Sequence, residues 1–71
     1  MTYQEIEQKL LTEHITCPCS GKNDEGEDII IERGYNGNCV PFYRVTTSQD
    51  NGWLRINFYY PDGTVTEEYE R

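Results

Sequence analysis

Alanine is absent from this chain, and six lysines and arginines face thirteen aspartates and glutamates. That shortage of cations argues against a direct nucleic-acid binder, which normally lays a basic stripe along phosphates and releases their counterions. Long apolar runs are missing too. None exceeds Ile29-Ile30-Ile31 in length, far short of the roughly 18 residues a bilayer-crossing helix requires, so no membrane partner is expected. The opening Met1-Thr2-Tyr3-Gln4-Glu5 lacks the basic start of a signal peptide, and the expected location is cytoplasmic. No phosphate loop, dinucleotide fingerprint or paired-histidine metalloprotease motif is present.

What remains is one small acidic unit, a single α+β domain over residues 1–71 with a formal charge of −7. Leu, Ile, Val and Phe together number only fourteen, but six Tyr and one Trp add large buriable surfaces and argue against disorder. A core this small predicts marginal stability, which a metal, disulfide or partner would raise.

Thr2 followed by Glu5 is a capping box, and Tyr3, Ile6, Leu10 and Leu11 recur at helical spacing, predicting a helix over 2–14. Residues 20–28 have no apolar member and read as an exposed acidic loop. Strands are expected at 29–33 and 40–48, separated by a turn at Gly34–Asn38. Asn51-Gly52 and Asp62-Gly63 then read as two-residue type I′ hairpin loops. That register pairs Tyr43 with Tyr60 and Val45 with Phe58, and Tyr60 in turn with Val65. Tyr43, Val45, Leu54, Ile56, Phe58, Tyr60, Val65 and Tyr69 would share one apolar face beneath the helix, with Glu67 stranded among them. The expected architecture is an N-terminal helix packed on a four-stranded, mostly antiparallel β-meander.

His14, Cys17, Cys19 and Cys39 are candidate zinc ligands, since zinc takes four N or S donors in a tetrahedron. The alternative readings are idle or buried free thiols in a reducing compartment, or a Cys39 disulfide that forms only after isolation. Cys17-Pro18-Cys19-Ser20-Gly21-Lys22 resembles part of the SEC-C zinc motif, Cys-x-Cys-Gly-Ser-Gly-Lys. Ser20 stands where that motif has its first glycine, and the closing Cys and Cys/His pair is missing. A His14–Cys17 nucleophile and base would lack an oxyanion donor and an orienting third residue, so no enzymatic role is expected.

The opposite sheet face would carry Arg44, Trp53, Arg55 and Tyr59, residue types enriched at binding hot spots, beside Glu68 and Glu70. Asp24, Glu25, Glu27 and Asp28 concentrate negative charge in one loop. Such charge serves solubility, and it can also imitate phosphates before a basic groove and steer association. In size and charge the chain resembles phage-encoded inhibitors of host defence, anti-CRISPR proteins among them, without sharing a family motif. The expectation is a non-enzymatic inhibitor or adaptor that occludes a basic or nucleic-acid-binding protein. The alternative is a small zinc-stabilised accessory domain.

Overall fold

Thr2 opens the helix as the sequence predicts: in the computed structural model, which describes residues 1–71, its Oγ1 accepts the Glu5 N–H at 3.1 Å. Helix α1 runs Tyr3–Thr12 and buries Tyr3, Ile6 and Leu10. Its exit is a Schellman closure, in which the His14 N–H bonds Leu11 O and the Ile15 N–H bonds Leu10 O. His14 holds the left-handed position there, at φ 54. Leu11, expected on the apolar face, is 65% exposed. No helix is long and apolar enough to cross a membrane.

Five strands follow: β1 Cys19–Lys22, β2 Asp28–Tyr35, β3 Pro41–Ser48, β4 Leu54–Tyr59 and β5 Val65–Glu70. They form one antiparallel sheet in chain order, so the fold is α+β with a meander of five strands and not four. The additional strand is β1, inside the segment expected to be loop. Cys-Ser-Gly-Lys shows no apolar alternation, yet all four residues pair with Ile31 to Asp28 of β2. The loop itself shrinks to the few residues between Lys22 and Asp28.

One turn design closes all the hairpins. Backbone bonds from Asn23 N to Glu27 O, Asn36 N to Val40 O, Gln49 N to Trp53 O and Tyr60 N to Thr64 O each enclose a three-residue loop. Within each, the third loop residue is left-handed: Gly26 at φ 80, Cys39 at φ 61, Gly52 at φ 85 and Gly63 at φ 92. This is a type I turn followed by a glycine-type bulge, the usual three-residue hairpin. Side-chain oxygens brace the loops: Asn23 Oδ1 accepts from Glu25 and Glu27, Asn36 Oδ1 from Asn38 and Val40, Asn51 Oδ1 from Trp53, and Asp62 Oδ1 from Thr64. The backbone N–H of Thr64 also holds the Asp62 carboxyl below the usual carboxylate range.

The third loop residue shifts the expected register by one. Tyr43 faces Tyr59, Val45 faces Asn57 and Thr46 faces Ile56; beyond them, Tyr59 faces Val65 and Ile56 faces Glu68. Two successive one-residue slips cancel at β5, so only β4 is turned over relative to the sequence reading. Arg55, Asn57 and Tyr59 therefore point to the helix side, and Leu54, Ile56 and Phe58 to the other. Glu67 is no misfit, because Arg55 arrives on the same side with its Nε 3.8 Å from Glu67 Oε1. The expected pairing of Arg55 with Glu70 gives way to this one and to Glu27 at 3.7 Å.

The core lies between α1 and the helix side of β2 and β3: Tyr3, Ile6 and Leu10 above, Ile29, Ile31, Tyr43 and Val45 below. The Tyr3 and Tyr43 rings meet at 4.8 Å. At the far end, Gln4 Nε2 donates to Pro61 O at 2.7 Å and ties α1 to the β4–β5 turn.

Two predictions test this arrangement by urea denaturation. Cys39→Gly relieves the left-handed strain and stabilises the protein by about 0.5 to 1 kcal/mol, whereas Cys39→Ala gives no such gain and Gly63→Ala lowers stability by about 1 kcal/mol. Ile56, 1% exposed on the side without a helix, costs about 2 to 4 kcal/mol on truncation to alanine. Equal stability of Ile56→Ala and wild type would contradict this burial.

Candidate partner-binding face

Because opposite residues in a sheet share a face, the register divides the side chains into a helix side and a bare side that no element covers. The bare side is not polar. Phe42, Leu54 and Phe58 lie half-buried on it, Ile30 stands 49% exposed, and Ile56 is sealed by its neighbours alone. Phe42 packs edge-on against Phe58 at 5.3 Å and Tyr60 at 5.9 Å. Gly34, opposite Phe42, makes room for this cluster: a Cβ there would come within 2.8 Å of Phe42 Cζ.

Charge surrounds the aromatic cluster. Arg44 lies over the Phe58 ring at 6.0 Å, its NH1 3.7 Å from Glu32 Oε1, while its buried Nε has no hydrogen-bond partner. Lys22 Nζ and Asp28 Oδ1 meet at 2.7 Å on the same side. Glu68 and Glu70 project from the exposed β5 strand with no ion pair. Both cations of this face are thus matched within it, and the unmatched charges are carboxylates.

The ten residues expected to bind a partner do not form one surface. Asp28, Arg44, Glu68 and Glu70 share the bare side. Arg55 and Tyr59 face the helix side, where Glu27 also meets Arg55. Asp24 and Glu25 occupy the tip of the β1–β2 loop. Trp53, 36% exposed, closes the β3–β4 loop with the Arg71 guanidinium 5.3 Å from its ring centroid. Sequence reasoning missed Ile30, Glu32, Phe42 and Phe58 as members of the bare face. A signal for Ile30 was available: three isoleucines in one strand must send the middle one to the opposite side.

The candidate metal ligands are also dispersed. Cys17 and Cys19, joined through Pro18 by a cis Cys17–Pro18 bond, are both half-buried against the core. Burial pushes the Cys17 thiol up, and the Cys19 thiol adds to this; Arg33 works the other way. Cys17 lies in a bend just before β1 and shares a small recess with Pro18, Glu32 and Arg33. His14 is fixed in the helix closure, and Cys39 is exposed in the β2–β3 loop. No three His, Cys, Asp or Glu side chains come together as a metal-holding group, so the four are not assembled into one tetrahedron.

Burial likewise raises the Tyr43 and Tyr59 phenols, against the opposing guanidinium of Arg33 for the first and of Arg55 for the second. These two phenols and the Cys17 thiol hold their protons more firmly in the folded chain than in the unfolded one. The unfolded state therefore binds fewer protons at alkaline pH, and stability falls as pH rises through and beyond the ordinary thiol and phenol ranges. Urea midpoints measured across that range should decline, with Cys17→Ser removing the earlier part of the decline. A midpoint that stays flat or rises would contradict the burial of these groups.

No protein-family model matches the chain, and no curated protein or solved structure is significantly similar to it.

Proposed function

We propose that this chain is a non-enzymatic inhibitor or adaptor that docks the bare side of its sheet on a basic, nucleic-acid-handling protein and occludes it. The observation supporting this reading is the bare face itself: an apolar aromatic cluster with no covering layer, beside carboxylates that have no counter-ion on the protein. Aromatic and aliphatic groups at the centre supply the desolvated contact on which affinity depends, and charge at the rim supplies orientation and encounter rate. Glu68 and Glu70 stand two residues apart on one strand, a roughly 7 Å repeat comparable to successive phosphates along a nucleic-acid strand. Asp24 and Glu25 extend the negative field from the loop tip without belonging to the contact.

The reading is tested by capture from nuclease-treated lysate with matched variants. Wild type should retain a basic protein that leaves at high salt and is displaced by duplex DNA. Ile30→Lys, at a half-exposed site where folding is spared, and the pair Glu68→Lys and Glu70→Lys should lose it. Asp24→Lys with Glu25→Lys should slow association while leaving dissociation unchanged. Capture that is indifferent to Ile30 and to both glutamates, or that DNA cannot displace, rejects this function.

A further inference from the structure

The two edges of the sheet are guarded unequally. Strand β5 carries Glu67, Glu68 and Glu70, whereas β1 is Cys-Ser-Gly-Lys, and its single charge, on Lys22, is already met by Asp28 at 2.7 Å. No strand pairs with β1 on its outer side. Between β1 and α1 lies an open cleft of about 660 Å³, lined by Ser20, Gly21 and Lys22 and by the exposed side chains of Met1 and Ile15. On the bare side, Ile30 stands half exposed beside Ser20. A free backbone edge is thus flanked by apolar groups on both faces.

The ladder fixes which backbone groups of that edge are free. The Asn23 N–H bonds Glu27 O across the loop, and along an antiparallel pair bonded and non-bonded residues alternate. Gly21 and Cys19 therefore bond Ile29 and Ile31, while the N–H and C=O of Ser20 and Lys22 point outward. The same count from the Asn36–Val40 bond turns the Ile30 backbone toward β3, in agreement. Two outward residues separated by a glycine match a second copy of themselves in one antiparallel register. Ser20 against Ser20 would bring Lys22 against Pro18, which has no N–H to give, and Lys22 against Lys22 would oppose like charges. Ser20 against Lys22 completes two reciprocal pairs of hydrogen bonds. It also sets Gly21 on the two-fold axis, where the backbones approach most closely and no side chain intervenes.

We propose that β1 is a self-association edge, through which two copies of this chain pair Ser20 with Lys22 about Gly21. Opposite residues share a face, so the two five-stranded sheets join into one of ten with both helices on the same side. Charge supports the pairing. Antiparallel approach brings Asp24 and Glu25, at the tip of the β1–β2 loop, to the end where the other copy enters its β1. There Arg33 lines a recess with Pro18 and has no ion pair within its own chain. Few residues take part, so the association is weak and reversible. The bare sides stay open and become continuous across the axis, so this contact is separate from the one proposed for a basic partner.

The test is sedimentation of the full chain under reductant from about 10 µM to about 1 mM, with amide exchange read by NMR at both ends of the range. Wild type should pass reversibly from monomer to dimer. The Ser20 and Lys22 amides should gain protection only in the dimer, whereas those of Cys19 and Gly21 are protected throughout. Mixed labelled and unlabelled chains should show an interchain contact between Gly21 Hα protons. Ser20→Pro removes an outward N–H and no bond within the chain. It should keep wild-type circular dichroism and weaken the dimer about tenfold or more, since each pair loses two hydrogen bonds. Ser20→Ala, and Glu68→Lys with Glu70→Lys, should dimerise as wild type does. Arg33→Gln should weaken the dimer a few-fold, the usual worth of an exposed ion pair. A chain that stays monomeric at about 1 mM overturns the proposal. So does a dimer that survives Ser20→Pro, protects β5 or bare-side residues instead, or shows another interchain register. A monomeric chain whose lysate partner is lost in Ser20→Pro would give the edge to a foreign strand and overturn it equally.

Discussion

Alternate side chains of a β-strand leave on opposite faces, so the number of residues in a hairpin loop decides what the next strand buries. In this protein that decision rests on one left-handed residue at the third position of each loop: Gly26, Cys39, Gly52 or Gly63. Everything on the sheet follows from it. With β4 set as it is, Arg55 reaches both Glu27 and Glu67 beneath the helix side, and Phe58 reaches Phe42 on the bare side. Had both loops around β4 been shorter by one residue, Arg55, Asn57 and Tyr59 would take the bare side in place of Leu54, Ile56 and Phe58, and the Glu67 carboxylate would stand alone on the helix side.

The bare face and the helix face solve different problems with similar residues. On the helix side, apolar groups from α1 close over Ile29, Ile31, Tyr43 and Val45, and water is excluded by a second layer. On the bare side the same task falls to lateral packing alone: Ile56 is sealed by its sheet neighbours, while Ile30, further toward the β1 side, remains half open. The open β5 edge beyond carries Glu67, Glu68 and Glu70, charges of the kind that keep edge strands from pairing with another copy. Like charge along this edge disfavours its pairing with a second copy of the chain.

Much of the local structure was legible in the amino-acid sequence. The Thr2 and Glu5 spacing announced the helix start, and Asn51-Gly52 and Asp62-Gly63 announced hairpins at the right places. Loop length was not legible, because Asn-Gly and Asp-Gly fit both the two-residue loop and the three-residue loop that ends in a left-handed glycine. Requiring the two hairpins to agree did not help: identical slips on either side of β4 cancel, and a mistaken β4 leaves β3 and β5 consistent. The stranded Glu67 was the sign of error, and its partner was the residue the slip had turned away. β1 escaped notice because its pairing is supplied by β2, not by any pattern in Cys-Ser-Gly-Lys. At the candidate site, charge was visible in the sequence, but membership of a common face was not, since it depended on that one-residue choice.

Each strand pairs only with its neighbours in the chain, and each connection between them is a three-residue loop. Sheet formation can therefore proceed by successive local closures, none of which has to bring distant segments together against chain entropy. The contact that does span much of the chain is the docking of α1, where Tyr3 meets Tyr43 and Gln4 meets Pro61. The kinetic burden of folding thus falls on the helix, and the bare face, assembled from β2 to β5, can be complete before the core beneath it is closed.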